Sequence, residues 1–291
     1  MSTAYIFPGQ GSQSKGMGAD LFDRFPDWVA QADAILGYSI RELCLDDPRG
    51  ELGQTEFTQP ALFVVNAMTF RARQESGGAP PAFMAGHSLG EYNALVAAGG
   101  CDFGAGLALV RQRGQLMGRV RGGGMAAVIG LEPAQIEAVL GSTDPGRRID
   151  VANFNSFEQT VIAGPKDDLA AVKPSLQEAK GRVIPLNVSA PFHSRYMRAV
   201  QDEFAGILRP VTFNRLMVPV VANVTAVPYG ADIHDTLARQ IGSSVRWLDS
   251  ILFLLEQDVS DFIEVGPGSV LTKLVAQIRK RRPGPPGPGA A

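Results

Sequence analysis

Apolar residues along this chain recur with two periods, and the switches between them mark an alternation of strands and helices. Residues 3–7 form a short β-prone run ending in the glycine-rich turn Pro8-Gly9-Gln10-Gly11-Ser12-Gln13. Residues 17–36 carry apolar positions at helical spacing, with Gly37 placed to stop the helix. Residues 60–73 predict a buried helix with Pro60 in its first turn. A strand over 81–86 turns into a helix over 89–98, and 102–120 predicts another helix.

The pattern changes after Gly122-Gly123-Gly124. Strand 125–131, helix 133–140, strands 149–155 and 160–163, helix 166–179 and strand 182–188 make a βαββαβ series, the order of a ferredoxin-like unit. A loop holding His193 follows, then helix 195–208, strand 218–224, helices 232–241 and 248–258, strand 261–265 and helix 270–280. Strands alternating with helices imply a mainly parallel sheet. The expected fold class is α/β: a large domain from residues 1–121 and 188–280, with residues 122–187 inserted as a small ferredoxin-like domain. Residues 281–291 are rich in proline and glycine without a sustained Gly-X-Y period, so a disordered tail is expected there.

Composition narrows the function classes. A chain of 291 residues can bury a large core, and 45% hydrophobic with 19% charged residues is ordinary for a globular protein. A formal net charge of -2 gives no global attraction to nucleic acid or to an anionic membrane, so neither is an expected partner. Cys44 and Cys101 are the only cysteines and form no CxxC or cysteine–histidine cluster. Neither a disulfide framework nor a metal site is expected, and a reducing cytoplasm is the expected compartment. No apolar run reaches the ~18 residues of a membrane span. The first glycine-rich turn lacks the GxxxxGK[ST] spacing, which excludes an NTP-binding loop.

The sharpest chemical signal is Gly86-His87-Ser88-Leu89-Gly90, a Gly-x-Ser-x-Gly sequence between a predicted strand and a predicted helix. Small residues at Gly86 and Gly90 allow a sharp bend that exposes the serine hydroxyl at a helix N-terminus. A serine nucleophile needs a base, and the chain offers His87, His193 and His234. His87 adjoins the serine and points elsewhere, while His234 starts a charged, exposed helix beside Asp235. His193 is therefore the candidate base. No acid between the serine and this histidine suggests itself as a third member; a backbone carbonyl could orient the imidazole instead.

Phe7-Pro8-Gly9-Gln10-Gly11-Ser12-Gln13, Thr58-Gln59-Pro60-Ala61-Leu62, Gly86-His87-Ser88-Leu89-Gly90-Glu91, Asn153-Phe154-Asn155-Ser156 and Glu264-Val265-Gly266-Pro267-Gly268 occur in this order. Together they resemble the malonyl-CoA:acyl carrier protein transacylase family over about residues 3–280. The resemblance implies an α/β-hydrolase-like large domain with a ferredoxin-like insertion. It also implies a ping-pong transfer in which Ser88 accepts the malonyl group and His193 shuttles its proton, with no tightly bound cofactor. Malonyl-CoA would be the donor, and the phosphopantetheine thiol of an acyl carrier protein the acceptor; a monomer is expected.

The same resemblance assigns the backbone N–H groups of Gln10 and Leu89 to the oxyanion. Arg113 would grip the free malonyl carboxylate, since a planar guanidinium makes two parallel bonds and stays charged when desolvated. Without the resemblance it would read as a solvated helix arginine like Arg111. Gln59, His87, Asn153 and Asn155 would line the pocket, and Phe192 would leave little room for a 2-methyl branch. A carbonyl in Ser244-Val245-Arg246-Trp247, assigned to Arg246, would orient the histidine.

Residues 38–48 and 54–60 resemble discrete acyltransferases that serve polyketide synthases; a transacylase of fatty-acid synthesis shares the other motifs. A serine hydrolase that releases acyl groups from carriers would use the same serine, histidine and oxyanion donors, but would gain nothing from a buried Arg113. A non-catalytic carrier-docking module is the third class, and loss of acylation in a folded Ser88→Ala protein excludes it.

Overall fold

A computed structural model describes residues 2–281. The first half of the chain runs β1 (Ser2–Phe7), α1 (Pro26–Leu36), α2 (Ile40–Leu45), α3 (Thr55–Glu75), β2 (Phe83–Gly86), α4 (Gly90–Ala97) and α5 (Phe103–Arg119). Next come β3 (Gly123–Ile129), α6 (Pro133–Ser142), β4 (Asp150–Ser156), β5 (Gln159–Pro165), α7 (Lys166–Glu178) and β6 (Arg182–Pro185). The chain ends in α8 (Arg198–Leu208), β7 (Val220–Val221), α9 (Ile233–Arg239), α10 (Trp247–Glu256), β8 (Val259–Glu264) and α11 (Val270–Arg281).

The strands form two sheets. One is parallel throughout, in the order β7-β2-β1-β8. Along β1, Tyr5 and Phe7 pack with α1, α3, α4 and α5, while Ala4 and Ile6 face α10 and α11. Burial on both faces is what a parallel sheet covered by crossover helices requires, and it accounts for the unbroken apolar run of this strand. The second sheet is antiparallel, ordered β4-β5-β3-β6. On β3, Ala126 and Val128 pack with α6 and α7, whereas Met125 and Ala127 turn toward the core of the first sheet's helices. The Val245 N–H donates to Ala152 O at 2.8 Å and the Phe154 N–H to Val245 O at 2.9 Å, stitching β4 to the segment before α10.

Several details differ from the sequence expectations; the strand expected over 218–224 shrinks to Val220–Val221 and that over 182–188 to Arg182–Pro185. Only Pro26–Leu36 of the helix expected over 17–36 is α-helical; Gly16 and Gly18 adopt positive φ, and Gly18 sits against Val65. Gly37 does end the helix in the left-handed conformation, at φ 84°. Pro60 lies inside α3, which begins at Thr55; Thr58 Oγ donates to Leu52 O at 2.6 Å and fixes the preceding turn. Arg281 belongs to α11 rather than to the tail, and the remainder of that expected tail, 282–291, lies outside the described residues. Among the described residues no helix is long and apolar enough to cross a membrane.

Candidate active site

Ser88 occupies the bend between β2 and α4 with φ 51°, a left-handed conformation that strains a residue with a side chain. The glycines on either side make the bend sterically possible. A Cβ on Gly86 would lie 2.0 Å from Gly90 O, and one on Gly90 would lie 2.0 Å from Phe7 O. Asn223, two residues past β7, clamps the bend: its Oδ1 accepts from Ser88 N–H at 2.7 Å and its amide donates to Gly86 O at 2.6 Å. Packing and hydrogen bonds together hold the strained serine.

His193 is buried, also has positive φ, and sets Nε2 2.7 Å from Ser88 Oγ. Its Nδ1 lies 2.9 Å from Gln240 O and 3.2 Å from Ser243 O. Carbonyls only accept, so Nδ1 carries the proton and Nε2 is free to accept the serine's. Burial, reinforced by the nearby Arg113 cation, pushes the imidazole down to about 3, so at physiological pH it is neutral, with Nε2 unprotonated. The orienting carbonyls are thus those of Gln240 and Ser243, which corrects the assignment to Arg246. The Arg246 carbonyl is taken by the Ser250 N–H at 2.9 Å and the Ser250 hydroxyl at 2.8 Å, closing the first turn of α10.

Arg113, on the inner face of α5, is 1% exposed. Its Nη1 donates to Gln59 Oε1 at 2.7 Å, and its Nη2 donates to Gln240 Oε1 at 2.9 Å and Ser88 Oγ at 3.1 Å. The Tyr92 ring lies 5.3 Å from its guanidinium carbon. All these neighbours are neutral. Burial moves the guanidinium below its ordinary value, and a cation held this way in the wall of a cavity invites an anion.

Ser88, His193 and Arg113 line one cavity of about 390 Å³ between the two sheets, together with Gln10, Gln59, His87, Leu89, Asn153, Asn155 and Phe192. His87 Nε2 meets Asn155 Oδ1 at 2.8 Å, a bond between the serine bend and β4. Burial lowers the His87 imidazole, which keeps it neutral as well. Among the described residues the N–H groups of Gln10 and Leu89 take part in no turn or loop hydrogen bond. The Gln10 loop is fixed from behind: Asn66 Nδ2 donates to Pro8 O at 3.0 Å, and a Cβ on Gly9 would meet His87 O at 2.4 Å. Gly266 belongs to the same contact, since a Cβ there would lie 2.0 Å from Asn66 Oδ1. His234 lies away from the cavity, half-buried, with Nε2 2.7 Å from Val211 O.

Sequence reasoning gave no role to Asn223, Gln240 or Glu91. Asn223 and Gln240 lie more than 130 residues from the serine bend they touch, without a local signature. Glu91 did offer a signal, an acid in a helix whose neighbours Tyr92, Ala94 and Leu95 are all apolar and buried. It is 0% exposed.

A serine–histidine pair on the strand-to-helix bend of a parallel sheet, with a buried cation beside it, defines an acyl-handling centre on an α/β scaffold. The profile of the acyl transferase domain matches residues 4–285, and the chain belongs to that family. Polyketide biosynthesis protein ThaF of Burkholderia thailandensis is 48% identical over 289 residues, 99% of this chain and 25% of ThaF. The chain therefore spans about a quarter of that relative's length. Polyketide biosynthesis malonyl CoA-acyl carrier protein transacylase BaeC of Bacillus velezensis is 50% identical over 278 residues, 94% of this chain and 96% of BaeC. A crystal structure of malonyl CoA-acyl carrier protein transacylase from Burkholderia pseudomallei superposes with a TM-score of 0.94 at 49% identity, covering 98% of this chain and 100% of that one.

Proposed function

We propose that this chain transfers malonyl from malonyl-CoA to the phosphopantetheine thiol of an acyl carrier protein through a Ser88 acyl-enzyme. The observation that carries the reading is the buried Arg113 fork 3.1 Å from Ser88 Oγ, ready for the free carboxylate of a dicarboxylic acyl unit. Similarity to BaeC and to the Burkholderia pseudomallei transacylase supports the substrate class. Similarity to ThaF and BaeC supports a polyketide assembly line over fatty-acid synthesis.

In the first half-reaction Ser88 Oγ gives its proton to His193 Nε2 and attacks the thioester carbonyl. The oxyanion is met by the Gln10 and Leu89 N–H groups, a donor pair of which each member is worth roughly 3 kcal/mol. Collapse breaks the C–S bond, and His193 returns the proton to the coenzyme A thiolate. In the second half, the carrier thiol gives its proton to His193 and attacks the Ser88 ester; the serine leaves and takes the proton back. Phe192 packs against the acyl group, and Gln59, His87, Asn153 and Asn155 line the rest of the site. Residues 1–121 and 188–281 form, on this reading, an α/β-hydrolase-like domain, and 122–187 a ferredoxin-like insertion; the βαββαβ order with antiparallel strands β4-β5-β3-β6 supports the latter.

Incubating the enzyme with malonyl-CoA and a holo carrier protein, with mass detection of the carrier, tests the proposal. Malonylated carrier is the expected product. Free malonate released with an unmodified carrier would mean a hydrolase instead.

A further inference from the structure

The Glu91 carboxylate does not line the active-site cavity, yet it is joined to Ser88, Arg113 and His193 through one residue, Gln240. Its Oε2 accepts from Gln240 Nε2 at 2.6 Å. Its Oε1 accepts from the Asn223 N–H at 3.2 Å and is bonded to the Tyr229 hydroxyl. The same Gln240 Nε2 donates to Ser88 O at 2.8 Å, while Gln240 Oε1 accepts from Arg113 Nη2 and the Gln240 backbone carbonyl holds His193 Nδ1. Gln240 is itself fully buried, so each of these groups depends on its partner for satisfaction.

We propose that Glu91 is a positioning residue that fixes which way round the Gln240 amide sits, and thereby aims the Arg113 fork at the acyl carboxylate. The proposal rests on the assignment of Arg113 to that carboxylate.

The argument is one of donor and acceptor matching. An amide can be turned end for end in the same space. Here one end faces two acceptors, Ser88 O and Glu91 Oε2, and must be the NH₂; the other faces the Arg113 donor and must be the oxygen. A carboxyl group can present an acceptor to Gln240 and to the Asn223 N–H at once. A glutamine at 91 cannot, because one of its ends is always a donor. Either it opposes the Asn223 N–H, or it opposes Gln240 Nε2. In the second case the Gln240 amide turns over, and its NH₂ confronts Arg113 Nη2. The guanidinium then loses one of the two amide oxygens, on Gln59 and Gln240, that set its plane. With those oxygens in place, the remaining Nη hydrogens are directed toward Ser88 Oγ and the cavity, as a bidentate grip on a carboxylate needs.

The test is the ratio of kcat/KM for malonyl over acetyl transfer in the full chain, measured for wild type, Glu91→Gln and Gln240→Met. Gln240→Met keeps the backbone carbonyl that holds His193 and removes both amide ends. In each variant the ratio should fall by about tenfold or more, with KM for the malonyl donor raised, because acetyl has no carboxylate for the displaced fork to miss. A ratio unchanged from wild type, whether activity is kept or both substrates fall alike, would overturn the proposal, since a merely structural role lowers both together. Failure of both variants to fold would do the same by assigning the network to stability. If only one folds, its ratio decides. A wild type that does not favour malonyl would instead sink the reading of Arg113 itself, and this proposal with it.

Discussion

At the scale of single residues, the site is a set of groups whose protonation is fixed by burial. On the proposed reading Arg113 would contribute two charge-assisted bonds to a bound carboxylate, each worth roughly 1.5–3 kcal/mol. Arg113→Ala should therefore lower kcat/KM for malonyl by about a hundredfold or more while improving relative use of acetyl-CoA; unchanged selectivity in steady-state assays would remove the assignment. Protonation also sets the pH dependence of stability. Between pH 4.5 and 6.5 the unfolded chain protonates His193, which the fold keeps neutral, while the fold keeps a proton on Glu91, whose carboxyl burial raises to about 7. The two contributions oppose each other: His193 costs stability on acidification and Glu91 offsets it by about 1.4 kcal/mol per pH unit, while His87, whose imidazole burial lowers, adds to the loss. Denaturant titrations across this window should show Glu91→Gln losing stability on acidification more steeply than wild type, by about 1.4 kcal/mol per pH unit, because the compensating carboxyl is gone. An unaltered slope in the variant would mean Glu91 is ionised throughout the window.

The elements explain how much of the site the sequence could announce. Ser88 was legible because its bend needs Gly86 and Gly90, and both needs are local: each added Cβ would collide with backbone at 2.0 Å. Gly90→Ala should cost roughly 3 kcal/mol or more, because the Phe7 carbonyl on the central strand cannot give way; an urea midpoint close to wild type would contradict that account of the motif. The alternation of strands and helices was legible for the same local reason, and Asp102 caps α5 where the pattern put a helix start. What escaped was set by tertiary contacts. The short α2 is capped by Ser39 and held by burial of Ile40, Leu43 and Cys44, too few residues to show a period. The carbonyls that orient His193 come from a turn after α9, and nothing in the local sequence separates Gln240 O and Ser243 O from Arg246 O.

For the molecule as a whole, function depends on two sheets meeting. The parallel sheet supplies the serine bend and, through its covering helices, the arginine, while β3, β4 and β5 of the antiparallel sheet wall the cavity opposite. The bond between His87 and Asn155 and the bridge of Val245 to β4 hold the two sides together across the reacting atoms. The central claim is that this junction carries a dicarboxylic acyl group on one hydroxyl. Intact-mass spectrometry after brief mixing with malonyl-CoA, followed by peptide mapping, tests it most directly. A gain of one malonyl group on the peptide holding Ser88, absent in Ser88→Ala, is the predicted result; no adduct on wild type, or an adduct that survives in Ser88→Ala, would contradict it.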